Sequence, residues 1–335
     1  MATIIDVAKR AGVSTATVSR ALNGSANVSD STKKRILAAI AELDYNPNAL
    51  GRNLRRMRTG IVLVVLPSIS NSFFSQVVKG MEQTGAALSY TIMICTTRSN
   101  PVRERMFLDL VRNRQADGVI LISSCLPTEE LKEFGSGYPA VQCSEYTPNL
   151  DLPWVSIDNE KAGYDAATHL MQLGHQHIGF IGVQHTHSSD LRFRGCCRAL
   201  AEHHLAPCPV AYGNFTYQSG YDAAQQLLLE HPELTALFAV SDVMACAAIR
   251  AGEDHHRKVP QDLSVIGVDN IMMSYVMRPT LTTIAQPRYD LGAAAMQQLA
   301  AKIEHRKQAR HQIYMDHTII KRDSTAAAPE GSNET

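Results

Sequence analysis

From residue 60 onward the chain is built of short apolar runs spaced by 20 to 30 residues: "IVLVVLPS", "TIMICTT", "GVILISS", "AVQCS", "WVSIDN", "IGFIG", "ALFAVSD" and "SVIGVDN". Runs this continuously apolar predict strands buried on both faces, hence parallel sheets covered by helices. Stretches of helical period, "SQVVKGMEQTGAAL" and "GYDAAQQLLLEH" among them, alternate with the runs. Two such βα sets, roughly 60–158 and 162–285, predict paired doubly wound lobes. Several runs end on small or polar residues (Ser68, Ser123, Asp158, Ser241, Asp269). Ligands of open α/β sheets bind at those carboxyl ends, so a cleft between the lobes suits a small polar molecule.

The first 46 residues have a different texture, that of three short helices. Thr3 with Asp6 forms a capping-box pattern ahead of "IIDVAKRA", which Gly12 ends. Ser14 with Thr17 opens a second helix that Asn23-Gly24 closes. Ser29 and Thr32 open a third, in which Ile36, Ile40 and Leu43 recur at helical spacing. The three-residue, Gly-containing turn between the first two is the helix-turn-helix layout, whose second helix enters the major groove. Val18 and Leu22 are expected to face inward, leaving Thr15, Ala16, Ser19 and Arg20 toward DNA. Arg can bond guanine bidentately, and the small residues admit close approach.

Charge supports that division. Residues 1–58 hold ten Lys/Arg against four acids, a net +6 that leaves −6 for the remainder of a chain of zero net charge. A basic head on an acidic body points to a polyanionic partner. The segment 47–59 reads either as a basic linker or as a short helix that forms only against a partner copy and DNA, because an isolated helix of two turns is unstable in water. The final residues 326–335 are polar and low in bulky apolar groups, and read as a disordered tail.

Other chemistries lack their residues. No apolar run approaches the ~18 residues of a membrane span, and the N-terminus has no apolar signal-peptide core, so a cytoplasmic protein without a membrane partner is expected. Seven cysteines, an odd number including the adjacent pair Cys196-Cys197, read as reduced and mostly buried thiols. The sequence contains no G-x-G-x-x-G after a strand, no P-loop and no G-x-S-x-G elbow. Histidines occur in pairs, such as His175/His177 and His203/His204, but without metal-site company. Neither a cofactor, a metal nor an enzyme is expected.

The sequence resembles the LacI/GalR family of transcription repressors. "DVAKRAGVSTATVSRALNG", "VSDSTKKRILAAIAELDYNPNALGRNLR", "SIDN", "GHQHIGFIG", "SDVMACAAI", "VPQDLSVIGVDN" and "PTLTTIAQPRYDLG" fall in family order over residues 2 to about 325. The resemblance implies a helix-turn-helix head (1–46), a hinge helix (47–59) and a two-lobed, periplasmic-binding-protein-like body of two doubly wound parallel sheets. The lobes would comprise 60–158 with 288–316, and 159–287 with 317–325. It further implies a homodimer on near-palindromic double-stranded DNA operators. The contacts would come from Thr3, Ser14, Thr15, Ala16, Thr17, Ser19, Arg20 and Asn23, and from Arg52, Leu54 and Arg55 of the hinge. Leu54 is similar to the hinge leucine that wedges into the minor groove. Gly51 stands where the hinge helix commonly has Ala, which implies a hinge that forms less readily.

For the effector the resemblance implies Phe73, Phe74, Glu145, Asp158, Ser188, Arg192, Phe215, Ser241 and Asp269. Read alone, Phe73 and Phe74 are core; placed in the family, they are stacking positions. An aromatic face beside an Arg/Asp pair that holds hydroxyls suits a nucleoside, with "NSFFSQVVKGME" and "EYTPNLDLPWVSIDN" similar to members that respond to cytidine. Glu145 would accept from an amino group of the base, or is a solvated loop acid. Ribose, another sugar or a purine remain alternatives on the same scaffold.

Overall fold

The computed structural model describes residues 2–22, 28–45, 58–306 and 311–329. The chain divides into two compact units, Met1–Arg58 and Thr59–Thr335.

In the first unit, α1 (Ile4–Ala11), α2 (Thr15–Leu22) and α3 (Asp30–Glu42) enclose a small core. The capping box forms: Asp6 N–H donates to Thr3 Oγ1 at 3.4 Å and Thr3 N–H to Asp6 Oδ2 at 2.9 Å. Gly12 ends α1 at φ +65°, a left-handed conformation that glycine adopts without steric cost. Ser14 Oγ accepts from Thr17 N–H at 3.2 Å and so caps α2. Val7, Ala8, Ala11, Val18, Ala21, Ile36 and Ala39 form the core. Leu22 departs from expectation, being 37% exposed, while Ala21 is buried in its stead. The small residues Ala8 and Ala11 let α2 approach α1 on the Val18–Ala21 side, and Leu22, the helix's last residue, stands at the edge of that arc.

The second unit holds two six-stranded sheets, and its strands arise where the apolar runs placed them. The first has the order β11-β5-β4-β3-β1-β2, from β1 (Ile61–Leu66), β2 (Thr91–Thr96), β3 (Gly118–Leu121), β4 (Ala140–Cys143), β5 (Trp154–Ile157) and β11 (Gln312–Met315), all parallel. The second has the order β12-β10-β9-β8-β6-β7, from β6 (Ile178–Val183), β7 (Val210–Gly213), β8 (Ala236–Ala239), β9 (Ser264–Val268), β10 (Thr282–Ala285) and β12 (Thr318–Ile320). Here the expectation of a purely parallel sheet is corrected: β12 pairs antiparallel with β10. An antiparallel edge on an otherwise parallel sheet lets a chain arriving from the other lobe pair without a further crossover helix.

Around the first sheet lie α4 (Phe73–Ala87), α5 (Pro101–Arg112) and α6 (Thr128–Gly137); around the second, α7 (Asn159–Gln172), α8 (His187–Glu202), α9 (Tyr217–Glu230), α10 (Asp242–Asp254) and the short α11 (Met273–Val276). Helix α12 (Arg288–Ile303) returns to the first lobe, where Leu291, Ala295, Met296 and Leu299 join the core of Val62, Val64 and Val77. The chain thus passes between the lobes after β5, after β10 and after β11.

Two further expectations are corrected. "TIMICT" reads as a strand buried on both faces, yet β2 is an edge strand that leaves Met93 and Ile94 45% and 47% exposed. Residues 326–329, read as the start of a disordered tail, are held on the second lobe: Ala326 O accepts from His175 Nε2 at 3.1 Å, and Ala328 N–H donates to Leu173 O at 2.8 Å, while 330–335 lie outside the described residues. Buried His175 and Ser264 need partners, and this backbone provides them.

Candidate functional site

On the head, the recognition face is the N-terminal half of α2. Thr15, Ala16 and Arg20 are exposed, and Ser19 is half-buried. Thr3 and Ser14 sit at the helix entrances, where their hydroxyls serve as caps, and the Thr17 hydroxyl is hydrogen-bonded to that of Ser14. Asn23, Gly51, Arg52, Leu54 and Arg55 lie outside the described residues.

In the body, both sheets change strand order beside their first strand, between β1 and β3 and between β6 and β8, where α/β folds place ligands. Arg192 on α8 is the central group. Its Nε donates to Asn159 Oδ1 at 3.0 Å and its Nη1 to Val240 O at 2.6 Å. Glycine makes this placement possible. A Cβ on Gly163 of α7 would stand 1.9 Å from Arg192 O, and one on Gly195 of α8 1.9 Å from Glu160 O. The two helices therefore cross in direct backbone contact.

Three carboxylates act on the guanidinium, those of half-buried Glu145 and of buried Asp269 and Asp242. Glu145, after β4 of the first lobe, accepts from Ser188 N–H at 2.8 Å and Ser188 Oγ–H at 2.7 Å at the start of α8. Burial pushes its pKa up, and the Ser188 bonds oppose that. Asp269, after β9, accepts from Gln286 Nε2 at 2.7 Å. Burial lifts it to about 6 against the pull of Arg192. Asp242 at the start of α10 accepts from Ile271 N–H at 2.8 Å and Thr283 Oγ1 at 2.5 Å; burial first, then Asp269, raises it. Burial in turn lowers Arg192, with Asp269 and Glu145 opposing. Charges this far from water are stable only when hydrogen-bonded or neutralised. Arg192 faces Asp269, Glu145 and Asp242, and a second guanidinium, that of Arg288, also lowers Asp269 and Asp242, so cations and acceptors interleave here in a way that suits a ligand carrying hydroxyl and amino groups.

The remaining predicted residues fall into place unequally. Ser241 is buried and caps α10. Phe215 packs half-buried on the second-lobe core at φ +65°, and Asp269 has φ +121°. Such backbone costs roughly 1–3 kcal/mol per residue and concentrates at ligand sites. Phe73, 6% exposed, belongs to the first-lobe core, while Phe74 is half-buried with its ring edge-on to Phe73 at 5.4 Å. Asp158 caps α7 through Lys161 N–H. It lines a cleft of about 400 Å³ with Tyr146, Trp154, His187, Arg194 and Tyr314, of which Tyr146 and His187 are next in the chain to Glu145 and Ser188. There Tyr146 stacks on Trp154 at 4.2 Å and meets the His187 ring at 4.8 Å. Asn159, Gln286 and Asp242 were not singled out by sequence reasoning. "SIDN" and "AQPRYDLG" contain the first two, but only their partners in space show what they hold.

Comparison with known proteins agrees with this geometry. Residues 3–48 match the bacterial regulatory proteins, lacI family, and residues 167–325 match the periplasmic binding protein-like domain. The chain is 40% identical over 332 residues to the HTH-type transcriptional repressor CytR of Escherichia coli (strain K12), covering 98% of this chain and 97% of that one. It is 35% identical to the HTH-type transcriptional repressor PurR of Pectobacterium carotovorum subsp. carotovorum (strain PC1), covering 98% of each. It superposes with a TM-score of 0.89 and 26% identity on the lac repressor dimer bound to operator and the anti-inducer ONPF, over 97% of this chain and 99% of that one. These relatives are transcriptional regulators and not enzymes. With its lacI-type head, its two-lobed body and that near full-length identity, the chain belongs to the LacI family of bacterial regulatory proteins.

Proposed function

We propose that this ligand-regulated, DNA-binding repressor acts as a homodimer on a near-palindromic operator and that its effector is a nucleoside, cytidine being the first candidate. The set Arg192, Asp269 and Glu145 carries the reading, since its two carboxylates offer acceptors for ribose hydroxyls and an exocyclic amine while Arg192 offers a donor. Arg192 and Asp269 would take the ribose, Glu145 the amino group, and Phe74 the face of the base. The 40% identity to CytR supports this choice.

Because Glu145 belongs to one lobe and Ser188 to the other, a ligand that competes for the carboxylate changes how the lobes are held together. Ligand and operator affinities are then linked reciprocally through the two lobe arrangements. On DNA, Arg20 reads a base edge, while the arginines at 52, 55, 56 and 58 contact phosphates and make binding steeply salt-dependent.

The test is titration of the full chain with cytidine, ribose and hypoxanthine, followed by calorimetry and by the fluorescence of Trp154, the single tryptophan. Binding of cytidine that changes operator affinity, with a loss of at least tenfold in Glu145→Gln, supports the reading. Response to hypoxanthine instead, as the PurR similarity would favour, keeps the repressor and discards the nucleoside.

A further inference from the structure

Asp269 stands just past the end of β9 and is followed by Asn270, and the two have φ +121° and +55°. Asn tolerates the left-handed region better than most residues, but Asp at +121° lies outside the backbone that side chains ordinarily allow. Two such residues in succession persist only where their surroundings impose the conformation. The strain therefore falls on the residue that is expected to hold the effector.

Hydrogen bonds from several elements impose it. Asp269 N–H donates to Ile284 O at 2.8 Å, and Asn270 N–H to Thr283 Oγ1 at 3.3 Å. Asn270 O accepts from Arg288 Nη2 at 2.7 Å. The Asn270 side chain is held by Arg322, whose Nη2 donates to Asn270 Oδ1 at 2.6 Å. Arg322 is itself fixed. Its Nη1 donates to Leu281 O at 2.7 Å and to Ser274 Oγ at 3.0 Å, and its guanidinium lies 5.9 Å from the centre of the Tyr275 ring. Ser274 is fully buried and donates in turn to Ile271 O at 2.7 Å. One guanidinium thus spans the turn after β9, the short α11 and the residue that precedes β10. A planar fork of several donors can do this, whereas the single nitrogen of a lysine cannot. Arg322 lies two residues beyond β12, which pairs antiparallel with β10 so that Ile320 is opposite Thr283. That reversed edge strand delivers the guanidinium to the Asp269 turn.

We propose that Arg322 is a positioning residue of the effector site: through Asn270 it sets the backbone of Asp269, and so the aim of the carboxylate at the hydroxyls of the ligand. The inference rests on the reading of Asp269 as the group that takes those hydroxyls. Arg322 acts through Asn270 and not on the ligand. Gln286 Nε2 donates to Asp269 Oδ1 at 2.7 Å, so the side chain and the backbone of Asp269 are anchored separately. Loss of Arg322 frees the backbone anchor alone, and the cost falls on the hydroxyl contacts and not on those to the base.

Titration of the full chain with cytidine and with dideoxycytidine, which lacks both secondary hydroxyls of the ribose, separates positioning from folding. The native chain is expected to prefer cytidine by about tenfold or more, as hydrogen bonds to a charged group would give. Arg322→Met should lose most of that preference, through weaker cytidine binding, with affinity for the dideoxy ligand nearly unchanged. Asn270→Gly adopts the same φ freely and keeps the bonds of Arg322 to Leu281 and Ser274, so it removes only the link. It should lower the preference likewise, and Arg322→Met added to it should lower it little further. Equal loss for both ligands, or an unchanged preference in both variants, overturns the proposal. A second measurement needs no ligand. Amide hydrogen exchange across 269–271 should quicken by about tenfold or more in either variant, with the first lobe exchanging as in the native chain. Unchanged exchange there overturns the role of Arg322 whatever the effector is. Quickened exchange in a chain whose native form binds neither ligand rejects the nucleoside reading and leaves the hold of Arg322 on the turn standing.

Discussion

Replacing Asn159 with Ala probes the cleft at a group that touches no ligand in the proposed arrangement. Asn159 is nearly wholly buried, and its Oδ1 accepts from Arg192 Nε at 3.0 Å. Its Nδ2 is committed to Ser156 Oγ at 3.2 Å and Ile157 O at 3.3 Å, so the amide cannot turn over without losing partners. Asn159→Ala leaves a buried cationic N–H without its acceptor, and a hydrogen bond to a charged group contributes about 1.5–3 kcal/mol. The guanidinium stays tethered at one nitrogen by Val240 O and is free to swing about it. Equilibrium urea unfolding should show that loss in the ligand-free protein. Cytidine titration should show a fall in affinity of roughly ten- to hundredfold, because about 1.4 kcal/mol is a factor of ten. Asn159→Asp keeps the acceptor for Arg192 but loses the donor to Ser156 Oγ and Ile157 O, and should recover only part of the affinity that Asn159→Ala loses. If Asn159→Ala is destabilised and yet binds cytidine as tightly as the native chain, Asn159 only supports the fold and the positioning role is refuted.

Three further outcomes follow from the same geometry. Gly163→Ala places a Cβ 1.9 Å from Arg192 O, so α7 and α8 must separate, at a cost of about 1–3 kcal/mol seen as a lower urea midpoint. Asp269 is raised to about 6 from an ordinary 3.8, so between those values the folded body holds a proton that the unfolded chain has released. Its contribution favours folding at the acid end and is lost as pH rises through about 6; pH-dependent unfolding of Asp269→Asn should lack that slope. Arg20→Ala should weaken operator binding by about 1–3 kcal/mol and relax preference at one base pair of each half-site, measured by competition with single-base operator variants.

The head was legible because its signals are local. The capping pairs Thr3/Asp6 and Ser14/Thr17 act within one turn, and Gly12 supplies its own left-handed backbone. The strands were legible because a buried parallel strand requires a continuous apolar run. What misled was position within the fold. "TIMICT" carries the apolar signature of a central strand, but it lies at an edge, and Leu22 has inward spacing on a helix too short to bury its last residue.

The cleft was only half legible. Arg192, Asp269, Glu145 and Ser188 are brought near one another, Asp158 lines a cleft with Tyr146 and His187, and Phe73 belongs to the first-lobe core. The sequence by itself determined the element order, the basic head, the family and the residue types that can bind DNA or a polar ligand, since each rests on neighbours in the chain or on composition. Only the tertiary structure decided that Asn159 and Gln286 hold Arg192 and Asp269 and that Glu145 bridges the lobes. Those partners are brought together by strand order and by helix crossings at glycines, and the energy of a buried charge is set by what surrounds it in space.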